Sequence, residues 1–221
     1  MKRVAIFDMD GTLIDSQYDI TVSINHVRLV HHGLQPLDPS QVVAAINGHQ
    51  RNLAEFFYGT VNYRDEDRDL FERHYHEQCI QNPSLYDGVE ALLEALAGEE
   101  VRLSVATNAP SRFARRMLEH LGVAERFDHI YGADMVQRPK PDREMLHAIL
   151  GHYGFDPAGD RAWMVGDNAK DMQAARHCGI TGIFAAWGFS SDGEGEHVAR
   201  HPGEVSEIIA PRSGTNRSVL V

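Results

Sequence analysis

Two aspartates at the end of a short apolar run are the first residues whose spacing suggests chemistry. Asp8 and Asp10 follow the run Val4–Phe7. Residues two apart in an extended chain point the same way, so both carboxylates would face the same space. Two like charges this close repel unless a cation compensates them, which a hard divalent ion does well. The alternative is an acidic turn, because Asp10-Gly11 is a common turn pair.

Three further polar clusters also follow apolar runs. Thr107 and Asn108 come directly after VRLSVA and offer a hydroxyl, an amide and backbone N–H groups, which suit a phosphate oxygen. Lys140 stands between two prolines that restrict the backbone and could fix one ammonium in place. Asp167 and Asp171 follow AWMV and would share a helix face. The alternatives are a capping turn, a solvated loop lysine and acids that stabilise a helix start.

The elements that must position these clusters form an alternating pattern. Short apolar runs that stop at polar or glycine residues predict strands, and amphipathic patterns separate the last four of them. Such alternation indicates an α/β fold with a parallel sheet and helices on both faces. Ligands bind at the carboxyl ends of the strands in these sheets, so the four clusters should converge on one site. The predicted strands are Val4–Phe7, Val101–Ala106, His129–Tyr131, Ala162–Val165 and Thr181–Ala185.

Helix signals accompany the later strands. Ser111 is the expected N-cap of a helix that stops near Gly122. Two more helices are predicted at Asp142–Tyr153 and Ala169–His177, and a fourth at Asp87–Ala97 leads into the second strand. The segment from Ser16 to Ser84 breaks the alternation, because it shows helical patterns and no convincing strand. Its predicted helices are Tyr18–Val30, Gln41–Ile46, Arg51–Tyr58 and Glu66–Ile80.

This interruption predicts a helical subdomain inserted into an α/β core. We assign residues 1–15 and 85–210 to the core, 16–84 to the insertion, and 211–221 to a polar, turn-rich tail. A chain of 221 residues is long enough for a core plus a smaller insertion, and too short for three independent domains.

Composition narrows the class of protein. Hydrophobic residues make up 43% and charged residues 24%, which excludes general disorder and a fibrous architecture. The net charge of −11 argues against nonspecific binding to nucleic acid or an anionic membrane. Cys79 and Cys178 have neither metal-ligand spacing nor the density of a disulfide scaffold, and no run approaches a spanning helix. We therefore expect a cytoplasmic protein.

Taken together, the clusters resemble the four motifs of the haloacid dehalogenase superfamily. Those motifs are DxDxT, a Ser/Thr ending the second core strand, a Lys and an acidic GDxxxD, and this chain presents them in that order. The resemblance covers nearly the whole chain and implies a Rossmann-like core, with the insertion similar to a C1-type cap. The phosphoglycolate-phosphatase-like and β-phosphoglucomutase-like branch looks nearest. It implies a Mg²⁺-dependent phosphatase for a small phosphorylated metabolite, either phosphoglycolate or a sugar phosphate.

The resemblance also implies roles for the two N-terminal aspartates. Asp8 would be the nucleophile that forms an aspartyl-phosphate. Asp10 would protonate the leaving oxygen and then deprotonate the attacking water, and the crowded acids around it could raise its pKa. Dehalogenases of the superfamily lack the second aspartate, so Asp10 argues for phosphate chemistry.

The remaining motif residues would hold the ion and the phosphoryl group. By resemblance, a carboxylate oxygen of Asp8, the backbone carbonyl of Asp10 and the Asp167 side chain would bind Mg²⁺, with Asp171 orienting a metal-bound water or Lys140 from outside. The phosphoryl oxygens would meet Thr107, the amide of Asn108 and Lys140.

A specificity loop often lies between cap helices in this family, and Asn47-Gly48-His49-Gln50-Arg51 occupies the matching region. Arg51 could bind a carboxylate or a second phosphate through its forked donors. The alternative is that Arg51 is a solvated first-turn residue and that Asn47 and Gly48 form a turn.

Two other functions use similar residues. A phosphomutase of the β-phosphoglucomutase type would share the core, and a phospho-accepting switch would share an Asp, Mg²⁺, a Thr/Ser and a Lys. Asp10 and the long insertion argue against the switch. The histidine pairs His31/His32 and His74/His76 lack the i,i+4 spacing of a helical metal site and should project to different sides, so they do not predict zinc.

Overall fold

The computed structural model describes residues 1–48, 52–190 and 192–211, and this part of the chain contains eight strands and nine α-helices. The strands are β1 (Arg3–Phe7), β2 (Ile14–Asp15), β3 (Ser84–Leu85), β4 (Arg102–Ala106), β5 (His129–Tyr131), β6 (Arg161–Gly166), β7 (Thr181–Ala185) and β8 (His197–Ala199). The helices are α1 (Gln17–His32), α2 (Pro39–Asn47), α3 (Leu53–Tyr58), α4 (Asp65–Gln78), α5 (Val89–Gly98), α6 (Ser111–His120), α7 (Glu144–His152), α8 (Ala169–Cys178) and α9 (Pro202–Ile209).

Six of the strands form one parallel sheet in the order β5-β4-β1-β6-β7-β8. The central strand β1 pairs with β4 on one side and β6 on the other, so that Ile6 lies between Ser104 and Met164. The strand order reverses at β1, and such a switch point leaves a crevice at the carboxyl ends of the neighbouring strands. The prediction of an α/β fold with a parallel sheet is confirmed.

Burial on both faces explains why the strands read as unbroken apolar runs. Ala5 and Phe7 of β1 pack in one cluster with residues of α5, α6 and α9, whereas Val4 and Ile6 pack in a second cluster with α7 and α8. A strand covered on both faces has no polar side to alternate with. This double burial holds β1 rigidly, and it therefore fixes the position of Asp8 at its end.

Helices α1 to α4 form the helical insertion between β2 and β3. They have their own apolar cluster, built mainly from α1, α2 and α3. The short strands β2 and β3 pair antiparallel, with Ile14 opposite Leu85, so the two crossings between insertion and sheet lie side by side. The predicted boundary at 15/16 falls at the end of β2 and the one at 84/85 falls inside β3, and the division into two domains stays a prediction.

Several local predictions are wrong. Ser111 does not cap α6: Pro110 is the N-cap, and the Ser111 N–H and hydroxyl instead donate to Asp134 at 2.6 and 2.7 Å. The segment 16–84 does contain a strand residue, since Ser84 belongs to β3. The sequence patterns also missed β2, β8 and α9, because two or three residues are too few to display a period and α9 follows closely on β8.

No helix in the described ranges is long and apolar enough to cross a membrane. Cys79 is buried and Cys178 is half-buried, and both are free thiols. Of the tail predicted at 211–221, residues 212–221 lie outside the described residues.

Candidate active site

The polar clusters meet at the carboxyl edge of the sheet. Asp8, Thr107 and Asp167 directly follow β1, β4 and β6, which are neighbours. A cavity of about 210 Å³ opens between these strand ends. All seven motif residues from the sequence analysis line it: Asp8, Asp10, Thr107, Asn108, Lys140, Asp167 and Asp171.

The Lys140 ammonium lies between two carboxylates. Its Nζ donates to Asp8 Oδ1 at 2.7 Å and to Asp171 Oδ1 at 2.6 Å, and the residue is 4% exposed. Burial alone would lower its pKa, but the charges of Asp171 and Asp8 outweigh burial and leave the pKa raised. A buried charge persists when it is paired and hydrogen-bonded, so Lys140 stays a cation.

Asn108 holds the backbone of Lys140. Its Nδ2 donates to the Lys140 carbonyl oxygen at 2.8 Å, and its Oδ1 accepts the Lys140 N–H at 3.0 Å. The Asn108 side chain is thus committed to positioning the lysine, and a phosphate contact at residue 108 would fall to the backbone N–H. The neighbouring Thr107 is buried, and its hydroxyl accepts the Ala109 N–H at 3.0 Å.

The two carboxyls of the first motif have different surroundings. Burial, the largest influence, raises the pKa of Asp10 to about 7, whereas a hydrogen bond from the Ser16 hydroxyl opposes this shift and the charge of Asp8 adds to it. The crowded acids expected to raise this pKa do contribute through Asp8, but removal from water is the larger cause. Asp10 can therefore hold a proton near neutral pH, while the Asp8 carboxylate faces an ammonium.

Three acids form a group that fits a metal ion. Asp8, Asp167 and Asp171 are buried, and one carboxylate oxygen from each lies within 4.8 Å of the others. Burial raises the pKa of Asp167 to about 8, with the charges of Asp8 and Asp171 adding to it. Burial likewise raises that of Asp171 to about 6, against the opposing charge of Lys140. One ammonium cannot balance this much buried negative charge, and an oxygen-only donor set suits Mg²⁺.

Asp171 is bonded both to the buried lysine and to the start of α8. Besides Lys140 it binds the backbone of Asn168, whose N–H donates to Asp171 Oδ2 at 3.1 Å in a capping box at the start of α8. These bonds fit the expected role of Asp171 in orienting Lys140, and the choice of Asp8 and Asp167 as metal ligands stays a prediction.

The backbone of the first motif packs directly on Asp167. Gly11 has φ +83°, and a Cβ there would lie 2.4 Å from Asp167 Oδ2. The same oxygen accepts the Phe189 N–H at 2.8 Å, and Oδ1 lies 3.4 Å from the Thr12 hydroxyl that donates to it. Only glycine fits between the motif turn and this acid.

Asn47 reaches this edge of the sheet from the end of α2. Its Oδ1 accepts from Asn168 Nδ2 at 2.8 Å, and its Nδ2 donates to Ser190 Oγ at 2.8 Å. The amide that was expected to bind substrate therefore bonds to the core. Gly48 follows as the C-cap of α2, and His49, Gln50 and Arg51 lie outside the described residues.

Sequence reasoning missed Asn168 and Lys170, which also line the cavity. Lys170 is half-buried and brings a second ammonium to the site. Both residues lie between the two aspartates of the motif, Asp167 and Asp171, which alone were expected to take part. The available signal was their location in the first turn of a helix that begins at the ligand-binding edge.

The adjacent histidines are also placed differently from expectation. His31 Nδ1 and His32 Nε2 both bond to Asp67 Oδ1, at 2.7 and 3.0 Å, so they converge rather than project to different sides. Both histidines lie in the last turn of α1, and both imidazole rings reach the same buried acid on α4, Asp67.

Comparison with known proteins gives independent evidence on the family of this chain. The family model of haloacid dehalogenase-like hydrolases matches residues 5–185. A phosphoglycolate phosphatase of Rhodospirillum rubrum is 34% identical, over 87% of this chain and 83% of that protein. An N-acetylmuramic acid 6-phosphate phosphatase of Pseudomonas aeruginosa is 30% identical, over 95% of this chain and 97% of that protein. The crystal structure of a predicted phosphoglycolate phosphatase from Haemophilus somnus superposes with a TM-score of 0.78 at 21% identity, covering 94% and 97% of the two chains.

Proposed function

The chain belongs to the haloacid dehalogenase-like hydrolase family and is a phosphoric monoester hydrolase, and from this premise we propose that it works through a phosphorylated Asp8 with the help of Mg²⁺. The observation that carries the proposal is the contrast between the two carboxyls of the first motif. Asp8 lies against the Lys140 ammonium, whereas burial favours the protonated form of Asp10. When the surroundings favour a charged carboxylate at one residue and a protonated carboxyl at its neighbour, the first suits a nucleophile and the second a proton donor.

The reaction has two steps. An oxygen of Asp8 attacks phosphorus, a bond from Asp8 to phosphorus forms, and the bond from phosphorus to the leaving oxygen breaks as Asp10 gives that oxygen its proton. Asp10 then accepts a proton from water, whose oxygen attacks phosphorus. Asp8 is released as a carboxylate and inorganic phosphate leaves.

The other residues of the cavity position the phosphoryl group. The Thr107 hydroxyl, the Asn108 N–H and the Lys140 ammonium would face its oxygens, where negative charge is spread in the transition state. Mg²⁺ would be held by the Asp8 carboxylate, the Asp10 carbonyl and the Asp167 carboxylate, and when bound it supplies positive charge beside the phosphoryl group. Asp171 would act on Lys140 rather than on the substrate.

The substrate class is a small phosphorylated metabolite. The two phosphatases named above act on phosphoglycolate and on N-acetylmuramic acid 6-phosphate, whose alcohols differ greatly in size. In this proposal residues 16–84 cover the site as a cap and exclude bulk water. The two free thiols agree with action in the cytoplasm.

The test is phosphate release from p-nitrophenyl phosphate with Mg²⁺, comparing wild type, Asp8→Asn and the exposed control Asp87→Asn. We expect Asp8→Asn to lose about a thousandfold or more in kcat, EDTA to abolish the wild-type rate, and Asp87→Asn to match wild type. Equal rates for wild type and Asp8→Asn would contradict the nucleophile. Conversion of β-glucose 1-phosphate into glucose 6-phosphate without phosphate release would indicate a mutase instead.

A further inference from the structure

A second and larger cavity, of about 810 Å³, lies between the helical insertion and the sheet core. Its walls are mainly apolar. The insertion contributes Leu53, Phe57, Tyr58 and Phe71, and the core contributes Phe113 and Ala133.

This cavity adjoins the catalytic one. Ile20, Ile46 and Asn108 line both, so the two spaces share a wall formed by α1, α2 and the loop after β4. An alcohol larger than the catalytic cavity, attached to a phosphoryl group held beside Asp8, would have to extend past these residues, and the apolar walls are the adjoining space.

The charges around the larger cavity do not suit an anionic alcohol. Its described lining includes two acids, Asp67 and Glu72, and one cation, Arg68. Glu72 is ion-paired with Arg112, and Asp67 is bound by histidines. A carboxylate placed here would meet two acids against one cation, Arg68, and otherwise apolar surface, whereas an apolar body would be removed from water.

The volume also exceeds what a two-carbon alcohol needs. Binding cavities of roughly 300–1,000 Å³ enclose ligands of drug-like size, and glycolate would leave most of 810 Å³ unfilled. Resting on the proposed function, we propose that this cavity receives the alcohol part of the substrate and selects phosphomonoesters whose alcohol carries an uncharged, largely apolar body of more than two carbons. Ala133 at the core wall is then a specificity-determining residue.

A series of primary alkyl esters tests this selection. Ethyl phosphate and 2-phenylethyl phosphate release alcohols of similar leaving ability, so a difference between them reports contacts with the cavity rather than bond strength. With wild-type protein and Mg²⁺, we expect kcat/KM for 2-phenylethyl phosphate to exceed that for ethyl phosphate and for phosphoglycolate at least tenfold. Equal values for the two alkyl esters, or a preference for phosphoglycolate, would overturn the proposal.

Two bulky substitutions locate the effect. Ala133→Trp narrows the cavity and should lower the ratio of kcat/KM for 2-phenylethyl phosphate to that for ethyl phosphate at least tenfold. Met135→Trp is the matched control, because Met135 lies in the same 3₁₀ turn (Ala133–Met135), is 48% exposed and is absent from the cavity lining. An unchanged ratio in Ala133→Trp, with both variants folded by circular dichroism, would contradict the assignment.

A further variant tests the competing hypothesis, that the site recognises a carboxylate on the alcohol. Lys170 lines the catalytic cavity and could bind a carboxylate there. A preference for phosphoglycolate that disappears in Lys170→Met would place recognition at Lys170 and refute the apolar selection. Failure of wild type to hydrolyse p-nitrophenyl phosphate would instead refute the proposed function, so the two failures are distinguishable.

Discussion

The side-chain amides of Asn47 and Asn168 are joined by a hydrogen bond of 2.8 Å. Asn47 ends α2 in the helical insertion, and Asn168 is the N-cap of α8, one residue after Asp167. The bond therefore connects the insertion to the loop that carries a proposed metal ligand. Ser190 accepts from the same Asn47 amide at 2.8 Å and strengthens the connection.

Replacing Asn47 should impair catalysis more than stability. A net hydrogen bond contributes about 1 kcal/mol, so we expect Asn47→Ala to change the melting temperature by only about 2–4 °C per bond lost. Because the bonds hold the insertion over the site, kcat/KM for p-nitrophenyl phosphate should fall about tenfold. Ser40→Ala, at an exposed position on the same helix, is the control. Unchanged kinetics in Asn47→Ala would show that catalysis does not depend on this contact.

Asp171→Asn should destabilise the protein. The Lys140 ammonium is buried and would lose one of its two carboxylate partners. Lys140 keeps Asp8 as a partner and burial already disfavours the charged form of Asp171, so we expect a loss of about 1.5–3 kcal/mol, the range for a hydrogen bond to a charged group, which urea unfolding can measure. The matched control is Asp142→Asn. The Asp142 Oδ2 atom lies 3.4 Å from Arg138 Nε, and the Arg138 side chain is 72% exposed. Such exposed pairs contribute about 0–1 kcal/mol. Equal effects of the two substitutions would contradict the structural importance of the buried pair.

The buried acids predict that the metal-free protein loses stability as the pH rises. The pKa values of Asp10, Asp171 and Asp167 are raised from 3.8 to about 7, 6 and 8. Between about pH 4 and 8 the folded protein therefore binds protons that the unfolded chain has released, so the free energy of unfolding falls with pH across this window. Each group contributes at most about 1.4 kcal/mol per pH unit.

Thermal melting in EDTA from pH 5 to 8 measures this slope. Mg²⁺ should raise the melting temperature most at pH 8, because it replaces the lost protons as the source of positive charge. Asp167→Asn should weaken both the slope and the response to Mg²⁺. A melting temperature that rises toward pH 8 in EDTA and ignores Mg²⁺ would contradict the metal site.

Gly11→Ala should lower the free energy of unfolding far more than the same substitution at a glycine elsewhere with similar backbone geometry. A Cβ at Gly11 would lie 2.4 Å from Asp167 Oδ2, whereas Gly59, with φ +68°, has nothing within 4 Å of its Cβ position. Gly59→Ala therefore measures backbone strain alone, about 1 kcal/mol. Gly11→Ala adds the clash and should also reduce kcat about a hundredfold or more, because a misplaced catalytic group loses rate steeply. Similar unfolding free energies and rates for the two variants would show that the turn can shift away from Asp167.

The order of strands and polar clusters made the core predictable. Buried strands such as β1 leave a continuous apolar run, and the residue after each run lies at the ligand-binding edge. That reasoning predicted where Asp8, Thr107 and Asp167 would be found without knowledge of any contact between them.

The contacts that tune the site were not predictable, because they join residues far apart in the chain. Nothing local to Asn108 indicates that its side chain holds the Lys140 backbone, and nothing near Asn47 indicates a partner at Asn168. Likewise, the pKa of Asp10 depends mainly on burial, which results from packing by the whole fold. Periodicity reports which face of an element is covered, and not what covers it.

The most direct test of the account is to trap phosphate on Asp8. In Asp10→Ala the first step can still proceed with p-nitrophenyl phosphate, whose leaving group needs no proton, but the water that releases the enzyme lacks its base. Acid quenching with ³²P-labelled substrate and Mg²⁺, followed by peptide mapping, should find close to one acid-stable, alkali-labile label per chain on Asp8. No label on Asp8, with turnover retained in Asp8→Asn, would contradict it.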